Sequence, residues 1–190
     1  EKSTKLETIF DRIHLIDARF EILRRDLEIA YLKAGDHSSQ SQAKYEQDLA
    51  ELESDRAFLR HANVGGERMS DADQERVRQI ARRTWIDNRG SSQHLLNPEE
   101  TENLTIKAGT LTGEERKIIN NHIAVTIRML EALPWPKHLR NVPEYAGGHH
   151  ERMDGKGYPR GLTRDQMSVQ ARIMAIADIF QALSANARPY

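Results

Sequence analysis

Cysteine is absent from these 190 residues. That excludes disulfides, thiolate metal sites and cysteine nucleophiles. Any transition metal must be held by histidine, aspartate or glutamate, a nitrogen and oxygen donor set that favours iron, manganese or zinc. Long apolar runs are missing as well. No stretch is long enough to span a bilayer and no signal peptide is visible, so the chain reads as cytoplasmic. Nor is there an excess of charge of one sign. With 28 basic and 29 acidic residues the formal net charge is −1, and no global field draws the chain to DNA, RNA or a membrane surface. Local basic clusters could still hold phosphate.

Charged residues make up 30% of the chain and hydrophobic residues 38%, a balance suited to long exposed helices. The length allows one sizeable domain, or one domain with an appendage. The chain opens on Glu1, without Met and inside a helical pattern, so a portion of a longer protein is expected.

Apolar residues recur at Leu6, Ile9, Ile13, Ile16, Phe20, Leu23, Leu27 and Ala30. Steps of three and four make this a heptad seam. Residues 35–42 are polar and break it. A second helix carries Tyr45, Leu49, Leu52 and Leu59 on similar spacing, with Arg56 interrupting the seam. The short linker predicts an antiparallel helical hairpin over residues 4–62, and a domain boundary at Gly65-Gly66. The seam could instead pair in trans and give a homodimer.

Ser70 with Asp73 reads as the cap of a third helix that turns Val77, Ile80, Ala81 and Trp85 inward. Residues 87–93 read as loop. Asn97-Pro98 starts a short helix. Thr112 with Glu115 caps another, whose inward positions are expected to be Ile118, His122, Val125, Met129 and Leu133. Asn141 with Pro143 starts a helix expected to carry His149 and His150. A last helix from Ser168 presents Ile173, Ile176, Ala177, Phe180 and Leu183 as its apolar face. No segment shows sustained strand alternation, and the fold class is all-α.

The densest chemistry lies in Tyr-Ala-Gly-Gly-His-His-Glu-Arg-Met-Asp-Gly-Lys-Gly-Tyr-Pro, residues 145–159. Adjacent histidines each need partners for two ring nitrogens, and a divalent metal is one such partner. Successive helix positions diverge by about 100°, so both can ligate only in a two-metal site or at a helix end. Surface histidines with ordinary partners are the bland alternative. Glu151 could be a further ligand or an outer acceptor. His122 lies among apolar residues, where a satisfied core histidine is the commoner outcome. Asp178 sits between Ala177 and Ile179, and a carboxylate there needs a metal, a salt bridge or a histidine. Helical folds build metal sites from such side chains on facing helices. In the Asp154-Gly-Lys-Gly-Tyr-Pro159 loop the glycines allow close backbone approach and Pro159 fixes the turn. Lys156, Arg160 and Arg188 could neutralise phosphate, or simply be solvated.

From about Gly109 to Tyr190 the chain resembles the C-terminal half of an HD-GYP domain. The matching blocks are Gly-Thr-Leu-Thr-Gly-Glu-Glu leading to His122, the His149-His150 block through Gly-Tyr-Pro-Arg-Gly-Leu, Ala-Arg-Ile-Met-Ala-Ile-Ala-Asp-Ile-Phe-Gln-Ala-Leu, and Arg-Pro-Tyr. The resemblance implies an HD-type helical bundle, here incomplete, over residues 67–190, with the hairpin of residues 1–66 as an insertion. It implies metal ligation by His122, His149, His150 and Asp178, and phosphate contact by Arg188 and Lys156. Gly157, Tyr158 and Pro159 fall on the motif surface that the family also uses to meet GGDEF-domain proteins. It further implies two or more divalent metals, iron or manganese, and hydrolysis of cyclic di-GMP to pGpG or GMP through a water activated between the metals.

The family's defining His-Asp pair does not occur in these residues. Asp36-His37 has the reverse order, and Asp87 has no preceding histidine. Gln181 stands where the family usually has a second Asp. The expectation is a dyad upstream of Glu1, with these residues an incomplete portion of low or no activity by itself. The alternative is a degenerate domain kept as an interaction module for GGDEF-type partners or a second copy.

Overall fold

In the computed structural model, residues 2–36, 38–66 and 68–184 are described. The chain divides into two compact units between Thr112 and Gly113.

The first unit is built on α1 (Ile13–Ala34) and α2 (Ser39–Val64). Gly35 ends α1 in the left-handed region at φ 64°, and the Ser38 side chain accepts from the Ser41 N–H to start α2. Tyr31 stacks on Tyr45 near the turn, and Asp17 meets Arg60 near the far end. The residue numbers of these pairs sum to nearly the same value, so the helices run antiparallel. Arg56, which breaks the apolar seam in sequence, donates to Asp17, as does Arg60. Burial alone would raise the Asp17 pKa, but the hydrogen bonds from Arg60 and Arg56 hold it below the usual value.

The seam differs from expectation at its start. Residues 2–12 form turns rather than helix, so Leu6 is buried while Ile9 is fully exposed. Asn63 of α2 fixes this segment: its carbonyl accepts from Lys5 N–H and its side chain accepts from Leu6 N–H. The core joins Leu6, Ile16, Phe20 and Leu59 to Val77 and Ile80 of α3 (Asp71–Ala81) and Leu104 of α4 (Pro98–Leu104). Ser70 accepts from Asp73 N–H, and Asn97 with Glu100 closes a capping box around Pro98. Glu100 also takes a two-pronged contact from Arg19 of α1.

Between α3 and α4 the chain makes a small antiparallel hairpin, β1 (Thr84–Ile86) and β2 (Ser92–His94), with Trp85 opposite Gln93. Trp85 therefore lies on a strand, half-buried, and not inward on α3. Residues 87–91, expected within a plain loop, turn between the strands. Asp87 accepts from Arg89 and Ser91 N–H groups, and Gly90 takes φ 77°.

The second unit comprises α5 (Gly113–Glu131), α6 (Val142–Gly147), a 3-10 turn (Arg164–Gln166) and α7 (Val169–Ser184). The short α6 packs on both long helices. The buried apolar side chains are Ile123 and Ile127 of α5, Ala171 and Ala175 of α7, and Met167. This corrects the expected inward faces. Ile118, His122, Val125, Met129 and Leu133 are exposed, as are Ile173, Ile176, Ala177, Phe180 and Leu183. Both helices carry more apolar residues than one contact can cover, and the side that meets α6 is selected by small residues. A Cβ on Gly147 would press on Ile127 at 2.9 Å, and one on Gly148 on Ala171 at 2.8 Å. No described helix is long and apolar enough to cross a membrane.

Candidate metal centre

Backbone approach at Gly147-Gly148 decides where the next two residues go. Alpha-6 ends at Gly147, so His149 and His150 stand in the turn beyond it rather than on the helix. That resolves the divergence of neighbouring helical side chains, because the constraint of a common helix no longer applies. His122 projects from α5. One ring nitrogen from each of His122, His149 and His150 lies within 4.8 Å of the others. The ring centres of His149 and His150 are 4.1 Å apart, and those of His122 and His150 5.1 Å.

Two of their outer nitrogens are hydrogen-bonded to backbone carbonyls, and the third faces a carboxylate. His122 Nδ1–H donates to the Ile119 carbonyl. His149 Nδ1–H donates to the Ala146 carbonyl at 2.5 Å. His150 Nδ1 faces the Asp178 carboxylate of α7 at 3.6 Å. An imidazole that donates from Nδ1 presents a lone pair at Nε2 when neutral. Anchoring of the second ring nitrogen by a carbonyl or carboxylate is how ligating histidines are oriented. Burial pushes the His150 pKa below its usual value; His149 and His122 push the same way, and Asp178 opposes them. A depressed pKa keeps the ring neutral and able to donate electrons to a cation.

His122 Nε2 and His150 Nε2 face each other at 3.4 Å. Two lone pairs so placed repel unless a proton or a cation lies between them. At metal–nitrogen bonds of about 2.0–2.1 Å, that separation subtends an angle of roughly 110°, as in tetrahedral coordination. The donor set, the separation and the anchored outer nitrogens fit a divalent metal. Asp178 stands beside His150 and is not one of the three clustered donors.

The following loop is built around Glu151. This carboxylate is 5% exposed. It accepts from the N–H groups of Arg160 at 2.7 Å and Leu162 at 2.8 Å. Its role as an acceptor for loop backbone was not legible beforehand; the only signal was an acid directly after the histidine pair in a glycine-rich run. Gly157 lies so close to the Glu151 and Arg152 backbone that no Cβ fits. Tyr158 N–H donates to the His150 carbonyl, and its ring stacks on His150 at 5.0 Å between centres. The Tyr158–Pro159 peptide is cis. Lys156 and Pro159 are exposed, and Arg160 pairs with Glu131 of α5. Arg188 and the closing Arg-Pro-Tyr lie outside the described residues.

Comparison with known proteins gives a match of residues 67–190 to the HD domain family profile. The chain is 38% identical over 122 residues to a 3'3'-cGAMP-specific phosphodiesterase 3 of Vibrio cholerae, covering 64% of this chain and 24% of the relative. It is 61% identical over 49 residues to 3'3'-cGAMP-specific phosphodiesterase 1 of the same organism, covering 26% and 11%. A cyclic di-GMP phosphodiesterase of Thermotoga maritima is 39% identical over 89 residues, covering 47% and 24%. The chain thus spans a quarter or less of the length of these relatives. No solved structure gives a significant match.

Proposed function

The chain belongs to the HD domain family, of the HD-GYP type, and from that premise we propose that it supplies the histidine cluster of a metal-dependent phosphodiesterase. The reaction is hydrolysis of a cyclic dinucleotide, cyclic di-GMP first, to pGpG or GMP in bacterial signalling. Water adds to phosphorus and a ribose oxygen leaves. The observation that carries this reading is the pair of facing Nε2 atoms of His122 and His150, 3.4 Å apart, with the outer nitrogens of His122 and His149 hydrogen-bonded to backbone carbonyls and that of His150 facing Asp178.

His122, His149 and His150 hold the metal, and Asp178 orients His150 or joins the coordination. A divalent cation there, iron or manganese in our reading, supplies Lewis acidity toward a phosphoryl oxygen and toward water. Glu151 keeps the loop closed, so that Tyr158 stays against His150 and Lys156 is presented to solvent, where it can meet a phosphate. Arg188 is assigned a phosphate contact by family resemblance alone. Residues 1–66 form the insertion, and the location is cytoplasmic. Two of the relatives described above are named for 3'3'-cGAMP, which makes that dinucleotide the second substrate to test.

A second reading is favoured by the lack of a His-Asp pair in these residues. In it, the hairpin and the Gly157-Tyr158-Pro159 surface serve as an interaction module for GGDEF-domain proteins or a second copy.

The test is hydrolysis of cyclic di-GMP and 3'3'-cGAMP by this chain and by the full-length gene product. It is run anaerobically with Fe2+ or Mn2+, beside a His149→Ala variant. Turnover lost in the variant supports the enzyme and ranks the substrates. No turnover and no bound metal in the wild type leaves the interaction module.

A further inference from the structure

A cavity of about 380 Å³ opens in the first unit, between the end of α2, the start of α3 and the chain around Ile106. Its walls carry four cations, Lys5, Arg68, Arg76 and Lys107, against one acid, Asp73. Two of the cations have acidic partners outside the lining: Arg76 meets Asp55 at 3.3 Å, and Lys107 meets Asp71 at 3.0 Å. Asp73 is engaged by the Ser70 hydroxyl at 2.7 Å.

Lys5 and Arg68 are different. Lys5 is 2% exposed, and its ammonium donates to the carbonyls of Leu104 and Ile106 at 3.1 and 3.0 Å and to Met69 Sδ. All three acceptors are uncharged. Among the described residues no carboxylate pairs with Lys5, and none pairs with Arg68 on the rim. Burial lowers the Lys5 pKa to about 8, the response of an ammonium without a counter-ion. A buried charge is normally compensated by an opposite one. Here the open space beside it is where such a charge can come from.

The remaining wall has organic character. Phe58 lies there with the Arg76 guanidinium 4.3 Å over its ring, joined by Met69 and Ile106. The volume falls in the range of small-molecule sites. A buried ammonium and a rim guanidinium, neither paired with a carboxylate among the described residues, favour an anion by their charge, and a guanidinium suits a phosphoryl group.

We propose that this cavity binds a phosphate monoester of nucleoside-monophosphate size, with Lys5 and Arg68 as its counter-ions. The site is built entirely from the first unit and does not depend on the histidine cluster.

The experiment is calorimetric titration of the 190-residue chain with 5'-GMP at pH 7 in EDTA, so that no cation occupies the histidines. Guanosine and inorganic phosphate are run as separate arms. The expected result is one saturable site for 5'-GMP, weakened by at least about tenfold in Arg68→Ala and largely recovered in Arg68→Lys. His149→Ala should bind like the wild type. Arg68 is exposed, so its variants are expected to fold; Lys5→Met is a second variant, checked by circular dichroism. Guanosine should not bind, and phosphate should bind more weakly than 5'-GMP. The proposal is overturned by no saturable binding of 5'-GMP, by equal binding of guanosine, by affinity unchanged in Arg68→Ala, or by loss of binding in His149→Ala.

Discussion

His122 and His150, 28 residues apart in sequence, point their Nε2 atoms at each other across 3.4 Å. A hydrogen bond between two neutral rings would require His122 to give up its contact to Ile119, or His150 to turn an Nδ1 lone pair toward the Asp178 carboxylate. A shared cation requires no such rearrangement. The purified protein is therefore expected to hold a divalent metal, detected by elemental analysis. His122→Ala should lower Mn2+ affinity more than about 100-fold, beyond the effect usual for an outer partner, with helix content unchanged by circular dichroism. Equal affinity in variant and wild type would remove the cluster as a metal site.

Asp178 separates two roles that look alike at 3.6 Å. As an outer partner that orients His150, its change to Asn should cost about 10–100-fold in metal affinity while leaving the number of bound ions unchanged. As a direct ligand, the same change should lower the bound stoichiometry. Titration with Mn2+ followed by electron paramagnetic resonance reads both quantities.

Glu151 closes the loop of residues 152–163 from inside. Glu151→Ala strands the N–H groups of Arg160 and Leu162, and an unsatisfied buried donor costs about 1–3 kcal/mol. Both groups are only partly buried, so urea unfolding should show a loss of about 1–3 kcal/mol for the pair. Gly157→Ala should produce a comparable loss by steric conflict with the Glu151 backbone. Stability equal to wild type in both variants would mean that the loop is not held this way.

Lys5 gives a pH signature of defined sign. Its pKa falls from 10.5 to about 8 on folding because burial disfavours the ammonium. Between those values the unfolded chain binds more protons than the folded one, so this group makes stability rise with pH. Below about 8 the penalty is present in full. The upper limit of the gain is about 3 kcal/mol. Chemical unfolding from pH 7 to 10 should show the wild type gaining on Lys5→Met. A difference independent of pH would contradict the burial argument.

Much of the architecture was legible because it is written in local chemistry. The caps at Ser70 and Asn97-Pro98 announce α3 and α4, and the heptad steps announce the hairpin. The sides of α5 and α7 that are buried were not legible. Periodicity reports that Ile118, Val125 and Met129 lie on one stripe, and equally that Ile123 and Ile127 lie on another. Only the close approach of Gly147 and Gly148, a tertiary fact, selects the second. The strands Thr84–Ile86 and Ser92–His94 are too short for alternation to register. At the candidate site, the residue types were readable from the histidine pair and the lone Asp178. The gathering of His122 with His149 and His150 was open to the residue types as one possibility on facing helices and was assigned by family resemblance, since an isolated histidine among apolar residues carries no sign of its distant partners.

The two glycines that seat α6 hold the histidine cluster in place by what they lack. Neither glycine has a side chain to offer the histidines, yet a single methyl at either position would push α6 away from α5 or α7. In a saturation mutagenesis library selected for metal loading, these two silent positions should tolerate as few substitutions as the ligands themselves, and purifying selection should weigh on them for reasons of space alone.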